Sequence, residues 1–148
     1  MGATVLGCDP YIPEVHWPQI PSVPWMDIPH QADVVLFACS HTESSHQMVN
    51  ENWLNQCQEM IFINCARGKI IDFDAVIEAL DGGHLAFLGL DVFPEEPFPS
   101  MNMCCSRSNV LFTPHAAGYH PQLVTQIREG LMEIAENWIE SQTIPFEL

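Results

Sequence analysis

At 148 residues, 47% of them apolar and 16% charged, the chain is about one domain long and can bury a sizeable core. Nineteen acidic residues against four basic ones (Arg67, Lys69, Arg107, Arg128) give a formal charge of −15, which repels phosphate backbones and anionic lipid, so neither nucleic acid nor a membrane surface is an expected partner. No apolar run approaches the roughly 18 residues of a membrane span, and the start, MGATVLGCDPY, lacks the basic flank and long apolar region of a signal peptide, so the expected location is cytoplasmic.

Thr4 to Cys8 is a short apolar run that reads as a strand ending in Asp9 and Pro10. An acidic residue at that tip is a ribose-binding arrangement in dinucleotide folds, and its charge repels the extra phosphate of NADP. Asp-Pro is also turn chemistry, the commoner reading of the pair taken alone. Tyr11 to His30 carries Pro13, Pro18, Pro21, Pro24 and Pro29, which bar a regular helix or inner strand; it reads as connection pinned by Trp17 and Trp25.

Val34 to Cys39, VVLFAC, has the continuous apolar pattern of a parallel strand buried on both faces. A polar loop, Ser40 to Ser45, follows, and Asn50 can cap a short helix with Trp53, Leu54 and Cys57 on one face. Met60 to Ile63 is the next strand and empties into Asn64, Cys65, Ala66, Arg67 and Gly68; Asp72 then caps a helix over Phe73 to Leu80. Arg67 thus falls in a strand-to-helix connection, where ligands bind in open α/β sheets and a guanidinium can grip a carboxylate through two parallel hydrogen bonds. A surface arginine is the plainer alternative.

Gly82 and Gly83 supply a helix stop, and Leu85 to Phe93 is a strand with Asp91, Glu95 and Glu96 at its carboxyl end. Pro94, Pro97 and Pro99 impose an irregular path to Ser108, before a last short strand, Val110 to Thr113, delivers Pro114 and His115. The chain closes with an amphipathic helix marked by Leu123, Ile127, Leu131, Ile134 and Trp138. The six cysteines (Cys8, Cys39, Cys57, Cys65, Cys104, Cys105) show no C-x-x-C spacing and read as free thiols; the seven histidines show no His-x-x-x-His pair, so no metal site is expected.

Five strands alternating with helices or helix-length connections predict an α/β fold with a doubly wound parallel sheet. Asp9, Cys39 with Ser40, Asn64 to Arg67, Asp91 with Glu96, and His115 each follow a strand end, which gathers them on one edge. Arginine, glutamate and histidine there suit carbonyl reduction: a cation for a substrate carboxylate, a histidine to exchange a proton with the carbonyl oxygen, and a carboxylate to steady the imidazolium. A glycosidase pair lacks its second carboxylate, and a serine hydrolase lacks the G-x-S-x-G elbow.

INCARGKIID, LDVFPEEP and FTPHAAGYH, in that order and separation, resemble the arginine, glutamate and histidine signatures of the D-isomer-specific 2-hydroxyacid dehydrogenases. The resemblance runs from about Gly2 to the last helix and implies that residues 1–148 are a partial NAD-binding domain, Rossmann-like, with the first βα unit missing. It implies that Arg67 binds the substrate carboxylate, that His115 protonates the carbonyl oxygen as NADH delivers hydride, and that Glu96 hydrogen-bonds His115. Asp91 would contact the nicotinamide carboxamide and Asp9 the adenosine ribose, while Cys39, Cys65, Ala66, Arg67 and His115, Ala116, Ala117 and Gly118 would line the cofactor. The implied substrate is a small 2-oxo or 2-hydroxy acid, and the implied parent enzyme a homodimer.

Two departures from the family pattern stand out. Ser40 replaces a usual proline, and the Gly-x-Gly-x-x-Gly turn that carries the pyrophosphate is not found in these residues. The missing strand is expected to leave a gap between the strand ending at Asp9 and the strand ending at Asn64. A non-catalytic dinucleotide-sensing module, like the family's corepressor relatives, and a degenerate fragment are the alternative readings.

Overall fold

The computed structural model describes residues 2–12, 19–98 and 107–141, which fall into two compact units, Met1–His115 and Ala116–Leu148. The first unit contains a four-stranded, wholly parallel sheet: β1 Val34–Phe37, β2 Met60–Asn64, β3 Leu85–Leu90 and β4 Val110–Phe112, in the spatial order β1-β2-β3-β4. Helix α1 Ile28–Gln31 precedes β1, α2 Glu51–Leu54 and α3 Phe73–Asp81 each connect two successive strands, and α4 Leu123–Ser141 belongs to the second unit. No helix among the described residues is long and apolar enough to cross a membrane.

Local chemistry sets most of these boundaries. The Asn50 side chain accepts the Trp53 N–H at 3.3 Å and the Asp72 side chain accepts the Ala75 N–H at 3.3 Å, so both helices start where a short acceptor can satisfy a first-turn donor. Helix α3 ends at Gly82 and Gly83, of which Gly83 carries the left-handed φ of 79°. Trp53, fully buried, stacks on Trp25 at 4.6 Å and donates its indole N–H to the Trp25 carbonyl, tying α2 to the proline-rich connection. That connection is more regular than its prolines suggest: α1 forms at its end because Pro29 sits in the first turn, where no backbone donor is needed.

Three expectations are corrected. Thr4 to Cys8 is not a strand: only Gly7 makes a bridge, to Ser22, because an extended segment becomes a strand only where a neighbour completes its ladder. The gap does not lie beside the strand ending at Asn64. That strand is paired on both sides, by β1 and β3, and the edge facing away from β2 belongs to Val34–Phe37. Finally, Val34–Phe37 is buried on one face only: Val35 and Phe37 join the core, whereas Val34 and Leu36 are 51% and 62% exposed. The register places Ile61 beside Val34, and these two with Leu36 and Leu111 are exposed apolar strand residues, whereas Gly89 beside Leu111 is buried. The opposite face packs Phe62, Leu88 and Leu90 with Trp53, Leu54, Val76 and Leu80.

In the second unit α4 spans the predicted helix, and Ile127, Leu131 and Trp138 on it are exposed. Cys8, Cys39, Cys57 and Cys65 are free thiols. The expectations for Cys104, Cys105, Pro99, Pro13, Pro18 and Trp17 lie outside the described residues.

Candidate active site

The carboxyl ends of β1, β2 and β3 and the segments that follow build two adjoining cavities. At the tip of β2 the fully buried Asn64 closes a tight turn: its Oδ1 accepts the Ala66 N–H at 3.0 Å and its Nδ2 donates to the Arg67 carbonyl at 3.1 Å. The turn therefore has a fixed exit, and Arg67 is presented on extended backbone ahead of the short helical turn Gly68–Ile70. Ile70 and Ile71, both buried, anchor that turn in the core. The Arg67 guanidinium is exposed, donates to the Ala66 carbonyl at 2.6 Å, and is in no ion pair among the described residues.

Gly68 locks this segment to the one after β3. A Cβ at this position would collide with the Phe93 carbonyl and the Pro94 nitrogen, so only glycine lets the two backbones meet. Beyond this contact, Glu96 turns back: its Oε1 accepts the Phe93 N–H at 3.1 Å, and its Oε2 lies 2.9 Å from Nδ1 of His115. These two hydrogen bonds, the one from His115 first, hold the Glu96 carboxyl below its ordinary range. His115 itself has a φ of 53°, a left-handed conformation uncommon outside glycine and typical of functional sites, stabilised by its N–H bond to the Thr113 carbonyl at 3.0 Å.

Asp91, buried at the end of β3, accepts the Thr113 hydroxyl and donates its N–H to the Asn64 carbonyl, cross-linking the tips of β2, β3 and β4. One cavity, about 690 Å³, is lined by Cys39, Ser40, His41, Cys65, Ala66 and Arg67. The adjoining one, about 270 Å³, is lined by His41, Arg67, Lys69, Glu96 and His115 among others. Burial, joined by the charge of Asp9 at Cys39 and of Asp91 at Cys65, pushes both thiols up. They are neutral, small wall groups. Asp9 accepts the Tyr11 N–H at 2.9 Å, so it does form the turn that Asp-Pro suggested, at a half-buried position. Ala116, Ala117 and Gly118 directly follow His115 but belong to the second unit, where the Ala116 carbonyl accepts the Tyr119 N–H at 2.9 Å. No group of three or more His, Cys, Asp or Glu among the described residues could hold a metal ion.

Several contributors escaped the sequence reading: Asn64 as the clamp behind Arg67, Gly68 as the contact between segments, Thr113 on Asp91, and His41 with Lys69 on the cavity wall. Of these, only Asn64 acts on residues within three positions of itself; the contacts of Gly68 and Thr113 join residues distant in the chain.

A parallel sheet whose carboxyl edge presents an arginine and a carboxylate-bound histidine beside a cleft is an α/β domain of the class that binds its ligands at that edge. Residues 1–117 match the model of the D-isomer specific 2-hydroxyacid dehydrogenase, NAD binding domain, and the chain belongs to that family. A glyoxylate reductase of Pyrococcus horikoshii is 36% identical over 115 residues, covering 76% of this chain and 33% of the relative. The D-3-phosphoglycerate dehydrogenase of Methanocaldococcus jannaschii is 31% identical across 99% of this chain and 30% of its own. Among solved structures, the apo D-lactate dehydrogenase of Escherichia coli superposes with a TM-score of 0.80 at 28% identity, over 99% of this chain and 47% of that one. The D-lactate dehydrogenase of Lactobacillus jensenii, solved with NAD+, reaches 0.86 at 23% identity, over 99% and 48%, a likeness of fold. This chain spans about a third of the length of the curated relatives it matches.

Proposed function

We propose that residues 1–148 are the partial NAD-binding domain of an NAD-dependent oxidoreductase that reduces a small 2-oxo acid to the 2-hydroxy acid. One observation carries the reading: His115, held through Nδ1 by Glu96, lines the same cavity as Arg67. Arg67 would take the substrate carboxylate in its guanidinium fork and place the neighbouring carbonyl toward the histidine. With Nδ1 donating to Glu96, Nε2 is the nitrogen left to give a proton to the carbonyl oxygen. Glu96, ionised and fixed by the Phe93 N–H, balances the imidazolium before transfer and fixes the ring plane throughout.

The residues fit a nicotinamide cofactor at its reactive end. The larger cavity, lined by Leu36, Phe37, Cys39, Ser40, Cys65 and Ala66 and joined to the smaller one through His41 and Arg67, offers room for a flat ring beside the substrate site. NADH would supply the hydride to the carbonyl carbon there. Cys39, Cys65, Ala66, Arg67 and His115 would form its wall, Asp91 would accept from its carboxamide, and Asp9 would meet the ribose. The names of relatives, glyoxylate reductase and D-3-phosphoglycerate dehydrogenase, support short 2-oxo acids as substrates. We infer a cytoplasmic, homodimeric parent with no nucleic-acid or membrane partner, consistent with the charge of −15.

The test is NADH oxidation with glyoxylate, hydroxypyruvate, pyruvate and 2-oxoglutarate by the protein that carries these residues. Turnover with at least one of them is expected. Its absence, together with a stable captured partner protein, would favour the dinucleotide-sensing module instead.

A further inference from the structure

The smaller cavity holds more positive-charge capacity than reduction of a monocarboxylate uses. Four cation-capable side chains line it, Arg67, Lys69, His41 and His115, against Glu96 alone, whose two oxygens are already engaged by His115 and Phe93. Half of the chain's four Lys and Arg residues thus converge on about 270 Å³ of a protein with a net charge of −15. The proposed chemistry assigns Arg67 and His115. Lys69 and His41 are left over.

Both are positioned by structure. Lys69 lies in the helical turn directly after Arg67, and its carbonyl accepts the Gln47 N–H at 3.0 Å, which stitches the turn to the loop bearing His41. Lys69 has no ion-pair partner among the described residues, although acidic side chains outnumber basic ones almost fivefold. His41 is fixed from behind: its Nε2 lies 3.0 Å from Nδ1 of His46, with the rings edge to face. Ser45 braces the loop between them, accepting the Thr42 N–H at 2.7 Å and donating to the Ser40 carbonyl at 2.8 Å. An oriented imidazole and an uncommitted ammonium on one small cavity are the parts of an anion site.

We propose that Lys69 and His41 bind a second anionic group on the substrate, a carboxylate or a phosphate, and so set a preference for dianionic over monoanionic 2-oxo and 2-hydroxy acids. The inference rests on the assignment of Arg67 to the first carboxylate. A net charge of −15 repels a dianion at long range, and a local pair of cations is what offsets that repulsion inside the cleft. The second group would then accept from the Lys69 ammonium and from a His41 ring N–H, charge-assisted bonds that a methyl or hydroxyl in its place cannot replace.

The experiment is an NMR titration of the whole protein that carries these residues, following the His115 and His41 ring protons, with two matched pairs of ligands. D-Malate against D-2-hydroxybutyrate isolates a second carboxylate, and 3-phospho-D-glycerate against D-glycerate isolates a phosphate. In at least one pair the acid with the second anionic group should bind about tenfold more tightly, the scale of one added charge-assisted contact. The substitution Lys69→Gln should bring that ratio to within about threefold, Lys69→Arg should retain most of it, and His41→Phe should reduce it. Equal affinities within both pairs, or a ratio untouched by Lys69→Gln, would overturn the proposal while leaving the role of Arg67 standing. If no acid of either charge perturbs the His115 ring, both the proposal and the function it rests on fail.

Discussion

Nδ1 of His115 lies 2.9 Å from Oε2 of Glu96, and the other oxygen of that carboxylate accepts the Phe93 N–H, so the imidazole is fastened to backbone through one rigid intermediary. The two lie 19 positions apart in the chain, with the whole of β4 between them; the pair exists because β4 runs beside β3. The hydrogen bond from His115 is also the principal cause of the lowered Glu96 ionisation.

The pH dependence of this pair has a definite sign. A carboxyl held below its ordinary value in the folded state contributes stability that is fully present above the unfolded value, 4.5 for Glu96, and is lost as pH falls through the folded one. The His115 ring should therefore keep the NMR signature of its Glu96 bond at pH 5 and above and lose it on further acidification. Glu96→Gln should remove that transition. A transition of the same size in the Glu96→Gln protein would mean that another group is responsible.

Gly68 is the position where a single methyl should do the most damage. Gly68→Ala places a Cβ into the backbone of Phe93 and Pro94, which cannot rotate away, so the segments carrying Arg67 and Glu96 must separate. Overpacking of this kind costs about 1–3 kcal/mol. Asn64→Ala would leave the Ala66 N–H buried without its acceptor, about 1–3 kcal/mol by loss of the bond. Urea melts of both variants should show shifted midpoints, and unchanged midpoints would remove both residues from the account.

Cys57 should resist alkylation in the native protein. Burial pushes its thiol up to about 11, whereas Cys8, Cys39 and Cys65 are exposed. Iodoacetamide at pH 8 should modify the three exposed thiols and spare Cys57 until denaturant is added. By linkage, the stability that the Cys57 thiol contributes is complete below 9.0 and is lost as pH rises toward about 11. Modification of Cys57 at the rate of Cys39 would show that the core around α2 opens readily.

The edge strand β1 carries a solubility prediction. Val34 and Leu36 lie on an edge strand with no charged residue among Val34–Phe37, the type of edge that recruits other strands. Leu36→Lys should lower concentration-dependent light scattering without changing the cooperative melt. Scattering that stays the same would mean that this edge is not the sticky surface.

What the sequence disclosed was set by the range over which each feature acts. Asp72 and Asn50 were legible as caps because they act within a few residues, and the gathering of Arg67, Glu96 and His115 on one cavity because each sits in a continuous motif at a strand end. The failures are non-local. Thr4 to Cys8 has strand composition but only one paired residue, and the exposure of Val34 and Leu36 depends on which layers cover the sheet rather than on their own side chains. The collision that forbids a Cβ at Gly68 involves Phe93 and Pro94, some 25 residues away along the chain, and no pattern around residue 68 announces it.

In the proposed reaction His115 transfers the proton in reduction of a 2-oxo acid while Arg67 holds its carboxylate. Its most direct test is the steady-state rate of NADH oxidation with the best 2-oxo acid for the wild-type protein and for His115→Ala, measured in the parent protein that carries these residues. General acid catalysis contributes roughly 100-fold or more, so kcat should fall by at least that factor with KM little changed. A His115→Ala rate within a factor of about ten of wild type would contradict the assignment.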